Sequence, residues 1–134
     1  MNHQIKNIDF IKTAFNNLNM LKEFRSYKLI IITNNCSRIK LGRLYRNATA
    51  LLTASYYESF NLPVLEALSQ GCPVIGLKSA IIPELKPYVN LAENTDEFTK
   101  NMKGINIKPN VQSINRLYKL FNWKNYVKNL VRLY

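Results

Sequence analysis

The stretch that decides the fold spans residues 49–77 and reads TALLTASYYESFNLPVLEALSQGCPVIGL. Its two apolar runs, residues 49–55 and 73–77, are short and uncharged, which predicts two strands buried on both faces. Between them, residues 62–70 predict a helix, because Pro63 suits a first turn and Gly71 stands just past the end. A strand, a helix and a strand joined by short connections predict a parallel βαβ unit.

The same alternation of strands and helices continues on both sides of this unit. The other predicted elements are a helix over residues 8–21, a buried strand over 28–33, a helix over 37–47, a weaker strand over 89–92, a helix that Thr95 caps, and helices over 111–121 and 123–134. Asn7 is placed to cap the first helix. We therefore expect one domain over residues 1–134, with a doubly wound α/β fold and a parallel sheet.

Composition narrows the class of protein without choosing a function. The chain has 134 residues, is 47% hydrophobic and carries a net charge of +11. It shows neither a secretory signal nor an apolar run that could span a bilayer, so a soluble cytoplasmic protein is expected. Cys36 and Cys72 lack a paired metal spacing and are expected to be buried free thiols. The positive charge favours an anionic partner, which could be nucleic acid, anionic lipid or a phosphorylated molecule, but solvated lysines without any partner fit equally well.

The connection after residues 49–55 is the expected binding site, because ligands of such sheets lie beyond the carboxyl ends of the strands. Pro63 has no N–H, so Val64 and Leu65 are among the expected free donors at the helix start, where the helix dipole favours a diphosphate. Glu58 in the loop and Glu66 one turn inside the helix could both reach one ligand. Carboxylates only accept hydrogen bonds, which suits the hydroxyls of a sugar or a ribose.

The block TASYYESFNLPVLEALSQGCPVIG, residues 53–76, resembles the signature of the group 1, or family 4, glycosyltransferases. It holds the family's E-x7-E pair as Glu58 and Glu66, its E-[GS]-F-[GN]-L-P loop, and its E-A-x-x-x-G-x-P-V-I run. The resemblance continues at Pro83-Glu84 and at residues 121–123. It implies the donor-binding half of a GT-B enzyme, with a Rossmann-like fold and retaining transfer, of hexosyltransferase type.

The resemblance also implies roles for individual residues. Glu58 would hold the transferred sugar and is the candidate catalytic residue, and Glu66 would accept from the ribose diol. The backbone of residues 60–65 would contact the sugar and the diphosphate, through Phe60, Asn61, Leu62, Val64 and Leu65. Lys6, which matches a lysine before the family's first helix, would meet the phosphates of a UDP- or GDP-sugar. The scheme implies no metal and no further cofactor.

Two departures from the family keep other interpretations open. The family's preceding strand and its Gly-Arg pair would lie at or before Met1, and the segment from Lys28 to Leu44 is about one strand-helix unit short. The chain could therefore work with a partner chain that supplies the acceptor domain, or be an inactive or split fragment. It could also be a basic module for anionic membranes or nucleic acid, peripheral to the membrane, although no specific nucleic acid is expected. A shortened sheet is expected to expose an apolar edge.

Overall fold

The structure is a computed structural model that describes residues 6–32, 36–56 and 61–120. Its helices are α1 (Ile8–Asn19), α2 (Arg38–Asn47), α3 (Leu62–Ser69), α4 (Thr95–Lys103) and α5 (Val111–Leu120). Its strands are β1 (Leu51–Thr53), β2 (Val74–Leu77) and β3 (Asn90–Ala92). Short 3₁₀ helices occupy Lys22–Phe24, Lys78–Ala80 and Lys86–Tyr88. The predicted helix over residues 123–134 lies outside the described residues.

The three strands form one parallel sheet in the order β1-β2-β3. Leu52 lies opposite Ile75, and Ile75 in turn lies opposite Asn90. Helix α3 connects β1 to β2, as the sequence predicts, and Gly71 just past its end has a φ of 78° that glycine adopts without strain. The predicted α/β class with a parallel sheet is confirmed.

Helices cover both faces of the sheet because neighbouring residues of a strand point to opposite sides. Val74 packs into a cluster with buried residues of α2, α3 and α5, such as Tyr45, Leu68 and Ile114. Its neighbour Ile75 packs on the other face with Ala14 of α1 and Phe98 of α4. A Thr99 hydroxyl that donates to the Ala14 carbonyl joins the two helices of that second layer. The result is a helix-sheet-helix sandwich.

The prediction of a buried strand over residues 28–33 is wrong for the part that the structure describes. Residues 28–32 form no strand, and Ile30 and Ile31 are 66% and 37% exposed. The run has the composition of a strand, but it and β1 line a common groove, and among the described residues no strand pairs with it. For the same reason β1 is only half-buried, where burial on both faces was expected.

Two predicted helix caps also differ from the structure. Asn7 is the N-cap residue of α1, as predicted, but it has a left-handed backbone, with φ of 54°, and its side chain makes no capping hydrogen bond. Helix α4 is capped one residue earlier than predicted, because the Asn94 side chain accepts from the Glu97 N–H at 2.9 Å. Thr95 is instead the first helical residue.

Composition predicted two buried free cysteines and no apolar run that could span a bilayer. Both cysteines are free; Cys72 is buried as predicted, whereas Cys36 is only partly buried. Within residues 6–32, 36–56 and 61–120, no helix combines the length and the apolar character that crossing a membrane requires.

Candidate functional site

The start of α3 is held in place by the side chain that precedes it. Asn61 is 1% exposed and has a left-handed backbone, with φ of 50° and ψ of 43°, which asparagine tolerates better than most residues. Its Nδ2 donates to the Ala80 carbonyl at 2.8 Å, and its Oδ1 accepts from the Ile82 N–H at 2.6 Å. Asn61 thus ties the start of α3 to the chain that follows β2. The structure gives its side chain an anchoring role, which the sequence did not predict.

The first turn of α3 offers fewer free donors than the sequence predicted. The Leu65 N–H donates to the Asn61 carbonyl at 3.0 Å, so the prediction that it is free is wrong. With Asn61 as the cap, Leu65 is the fourth helical residue and is the first with an acceptor inside the helix. Since Pro63 has no N–H, helix geometry leaves the N–H groups of Leu62 and Val64 without an acceptor inside the helix.

Side chains in the first turn of α3 divide between the core and the surface. Val64 and Leu65 are buried and belong to the core cluster beneath the helix. Leu62 points outward and is 52% exposed. Packing therefore fixes the orientation of this turn, and any contact of Val64 with a ligand must come from its backbone.

Glu66 lies one turn inside α3, is partly buried and lines a groove that runs along β1. Its charge acts on the phenol of Tyr45 in α2. Burial, and to a lesser degree the negative charge of Glu66, raise the pKa of Tyr45 from 10.0 to about 12. The Tyr45 phenol therefore loses its proton only at a higher pH than an exposed tyrosine does.

The groove along β1 has a volume of about 700 Å³. Lys6, which precedes α1, lines this groove as do Glu66, Asn61 and the buried Ser55 just beyond β1. The structure thus brings four of the predicted site residues, Lys6, Asn61, Val64 and Glu66, to one groove. Glu58 and Phe60 lie outside the described residues, so their predicted roles stay predictions.

A second cleft lies at the carboxyl ends of β2 and β3, which the sequence analysis did not single out. Its volume is about 350 Å³, and its lining includes Lys78, Ser79, Lys86 and Glu93. The Lys78 ammonium lies 3.4 Å from a Glu93 carboxylate oxygen. The sequence did hold a signal for this cleft, because residues 78 and 79 directly follow the predicted strand over 73–77. In the described part of the chain, no three His, Cys, Asp or Glu side chains meet as potential metal ligands.

Comparison with known families agrees with this architecture. Residues 16–120 match the family "Glycosyl transferases group 1", which covers most of the chain. The chain therefore belongs to the group 1 glycosyl transferases, and its parallel sheet with helices on both faces is consistent with one Rossmann-like half of a GT-B enzyme. A search of curated proteins found no match to the chain.

Proposed function

We propose that this domain binds the nucleotide-diphosphate sugar, a UDP- or GDP-sugar, of a retaining glycosyltransferase of family 4. The observation that carries the proposal is the start of α3 beyond the carboxyl end of β1, where Asn61 anchors the helix and Glu66 reaches the groove one turn later. This is the part of the chain that holds the family's E-x7-E signature.

The first turn of α3 suits the diphosphate of the donor. The N–H groups of Leu62 and Val64 have no acceptor inside the helix, and the helix dipole adds a partial positive charge at the same end. Lys6 lines the same groove and supplies a full positive charge. Together these groups would bind the donor phosphates and stabilise the negative charge that grows on the departing diphosphate.

Glu66 suits the ribose of the donor. Its carboxylate accepts hydrogen bonds only, so two neighbouring hydroxyls can both donate to it. Its partial burial reduces competition from water, which strengthens such charge-assisted bonds. Glu58, from the same signature, would hold a hydroxyl of the transferred sugar near the anomeric carbon. In this scheme the protein acts by positioning and by electrostatic stabilisation.

Calorimetric titration with UDP- and GDP-sugars tests donor binding. We expect saturable binding, with the affinity of Glu66→Gln reduced by about tenfold to a hundredfold, because a hydrogen bond to a charged group contributes about 1.5–3 kcal/mol. Glu23→Gln is the matched control, since Glu23 is an exposed acid of the 3₁₀ helix at Lys22–Phe24 and should leave the affinity unchanged. Absence of binding at about 1 mM donor, or equal affinity of Glu66→Gln and the wild type, would contradict the proposal.

Transfer itself requires an acceptor site. We propose that an acceptor domain, carried by a partner chain, supplies it. With that domain present, release of the nucleotide diphosphate measures turnover, and the anomeric configuration of the product, read by NMR, tests retention. Glu58→Gln should lower kcat more than it raises KM if Glu58 acts in the transition state. An inverted product would reject the retaining scheme. Donor binding without any turnover would identify an inactive domain.

The net charge of +11 favours a second candidate function, binding to an anionic surface such as a phosphatidylserine membrane. Vesicle sedimentation distinguishes binding to an anionic surface from binding of a nucleotide sugar. Surface binding should weaken steeply with salt and should be the same for Glu66→Gln and the wild type. Binding that neither salt nor lipid charge affects would reject this candidate.

A further inference from the structure

The second cleft lies on the same edge of the sheet as the proposed donor site. Leu77 ends β2 and Ala92 ends β3, and both line the cleft together with the residues that follow them, Lys78, Ser79 and Glu93. The start of α3 lies beyond the carboxyl end of β1, which is the neighbour of β2. Ligands of parallel α/β sheets bind beyond the carboxyl ends of the strands, so the cleft lies where such sheets hold ligands.

Asn61 connects this cleft to the start of α3. Its side chain donates to the Ala80 carbonyl at 2.8 Å and accepts from the Ile82 N–H at 2.6 Å, and Ala80 directly follows the cleft residue Ser79. Since neighbouring Cα atoms are about 3.8 Å apart, the Cα atoms of Ser79 and Asn61 lie within roughly 12 Å of each other. One small molecule can bridge this distance from the cleft to a donor bound at the first turn of α3.

The polar groups of the second cleft suit an anion with several oxygens. In the part of the chain that the structure describes, the Lys86 ammonium makes no hydrogen bond or ion pair. Lys78 pairs with Glu93 at 3.4 Å, but both side chains are exposed, so this pair is weak. The exposed Ser79 hydroxyl can also donate. Two ammonium groups and one hydroxyl match the three free oxygens of a phosphate monoester better than the two oxygens of a carboxylate.

The size and the lining of the cleft indicate what carries the phosphate. Its volume of about 350 Å³ is at the lower end of the range for small-molecule sites, about 300–1,000 Å³. Leu77 and the buried Ala92 add an apolar part to the lining, which suits the carbon skeleton of a small ester better than a bare inorganic ion.

We propose that the second cleft is a subsite for the acceptor of the transferred sugar, and that it binds the phosphate of a phosphorylated polyol. Lys78 and Lys86 would pair with the phosphate, and Ser79 would donate to a third oxygen. The polyol would extend toward the start of α3, where one of its hydroxyls would meet the donor. The acceptor role rests on the proposed function, whereas binding of the phosphate does not.

NMR titration of the full chain with glycerol phosphate, a monoester, tests the phosphate site. We expect shift changes centred on the amides of Lys78 and Ser79, and none with glycerol. Lys86→Gln should weaken binding by at least about threefold, and Glu93→Gln should strengthen it about threefold, because the two changes alter the charge of the cleft in opposite directions. Lys100→Gln is the matched control: it removes the same charge from an exposed position of α4 outside the cleft, and should leave the affinity unchanged.

Three outcomes of this titration would overturn the proposal. The first is no shift change at about 10 mM glycerol phosphate. The second is equal weakening by Lys86→Gln and Lys100→Gln, which would mean that the net charge of the chain attracts the probe without a site. The third is equal or tighter binding of glycerophosphoglycerol, because this diester has two free oxygens and represents the head group of a lipid.

Titration with UDP in the presence of glycerol phosphate tests the acceptor role. The two ligands should bind at the same time. Displacement of glycerol phosphate by UDP would show that the probe occupies the donor's own phosphate site, which overturns the proposal. If UDP does not bind but Lys86→Gln still weakens binding of the probe, the proposed function fails and the phosphate site stands. If UDP binds and Lys86→Gln has no effect on the probe, the acceptor subsite fails and the donor site stands.

Discussion

Replacement of Asn61 tests the anchor on which the proposed donor site depends. Asn61→Ala removes both side-chain hydrogen bonds, to the Ala80 carbonyl and from the Ile82 N–H, and places alanine at a φ of 50°. Asn61→Gly removes the same hydrogen bonds but leaves a residue that adopts this backbone without strain. The pair of variants separates the hydrogen bonds from the backbone conformation.

The expected loss of stability follows from these two contributions. Two buried hydrogen bonds contribute about 1 kcal/mol each, and the peptide groups left unpaired raise the cost, so Asn61→Gly should lose about 2–3 kcal/mol. The left-handed conformation costs alanine about 1 kcal/mol more, so Asn61→Ala should lose about 3–4 kcal/mol. The free energy of unfolding is measured by urea denaturation followed by circular dichroism.

The order of the two variants in free energy of unfolding is the decisive result. If Asn61→Ala is as stable as Asn61→Gly, the backbone argument is wrong. If both lie within about 0.5 kcal/mol of the wild type, the two hydrogen bonds do not anchor α3. Under conditions where both variants remain folded, their donor affinity should also fall, because the free N–H groups of the first turn lose their fixed position.

Three further predictions concern packing, capping and pH. Gly76→Ala should destabilise the fold by about 1–3 kcal/mol in urea denaturation, because the added Cβ would lie 2.8 Å from Ile81 Cδ1; no loss would contradict this close approach. Asn94→Ala should lower the free energy of unfolding by about 1 kcal/mol in the same assay, and Thr95→Ala should lower it much less. The reverse order would show that Thr95 is the cap, as the sequence predicted. Because the folded pKa of Tyr45 is raised, its contribution to stability is complete below pH 10 and is lost as the pH rises from 10 to about 12. The unfolding free energies of wild type and Tyr45→Phe, compared from pH 8 to 12, should therefore differ in slope only in that window, by about 1.4 kcal/mol per pH unit at most; parallel curves would reject the burial argument.

The βαβ unit at the centre of the chain was predictable because its signals are local. Pro63 and Gly71 mark the two ends of α3 through backbone constraints that act within one turn. The apolar run at β2 was equally clear, and its residues Val74 and Ile75 are buried in opposite helix layers. The spacing of the signature predicted Glu66 as a site residue, and the structure places it at the groove.

Local signals did not predict which donors at the start of α3 are free. That depends on where the helix begins, and the cap at Asn61 makes Leu65 a donor to the helix itself. The anchoring role of Asn61 was also hidden, since its partners, Ala80 and Ile82, lie 19 and 21 residues away. Hydrogen bonds across such a separation depend on the packing of β2 beside α3.

By itself, the sequence determined the alternation of strands and helices, the α/β class and the family, since propensity, capping residues and a contiguous signature all act over short distances. Only the tertiary structure decided that residues 28–32 form no strand and that β1 is left at the edge of a groove. The physical reason is that a β-strand needs hydrogen bonds to a neighbouring backbone. An apolar β-branched run forms a strand only where another backbone lies about 4.8 Å away and can pair with it.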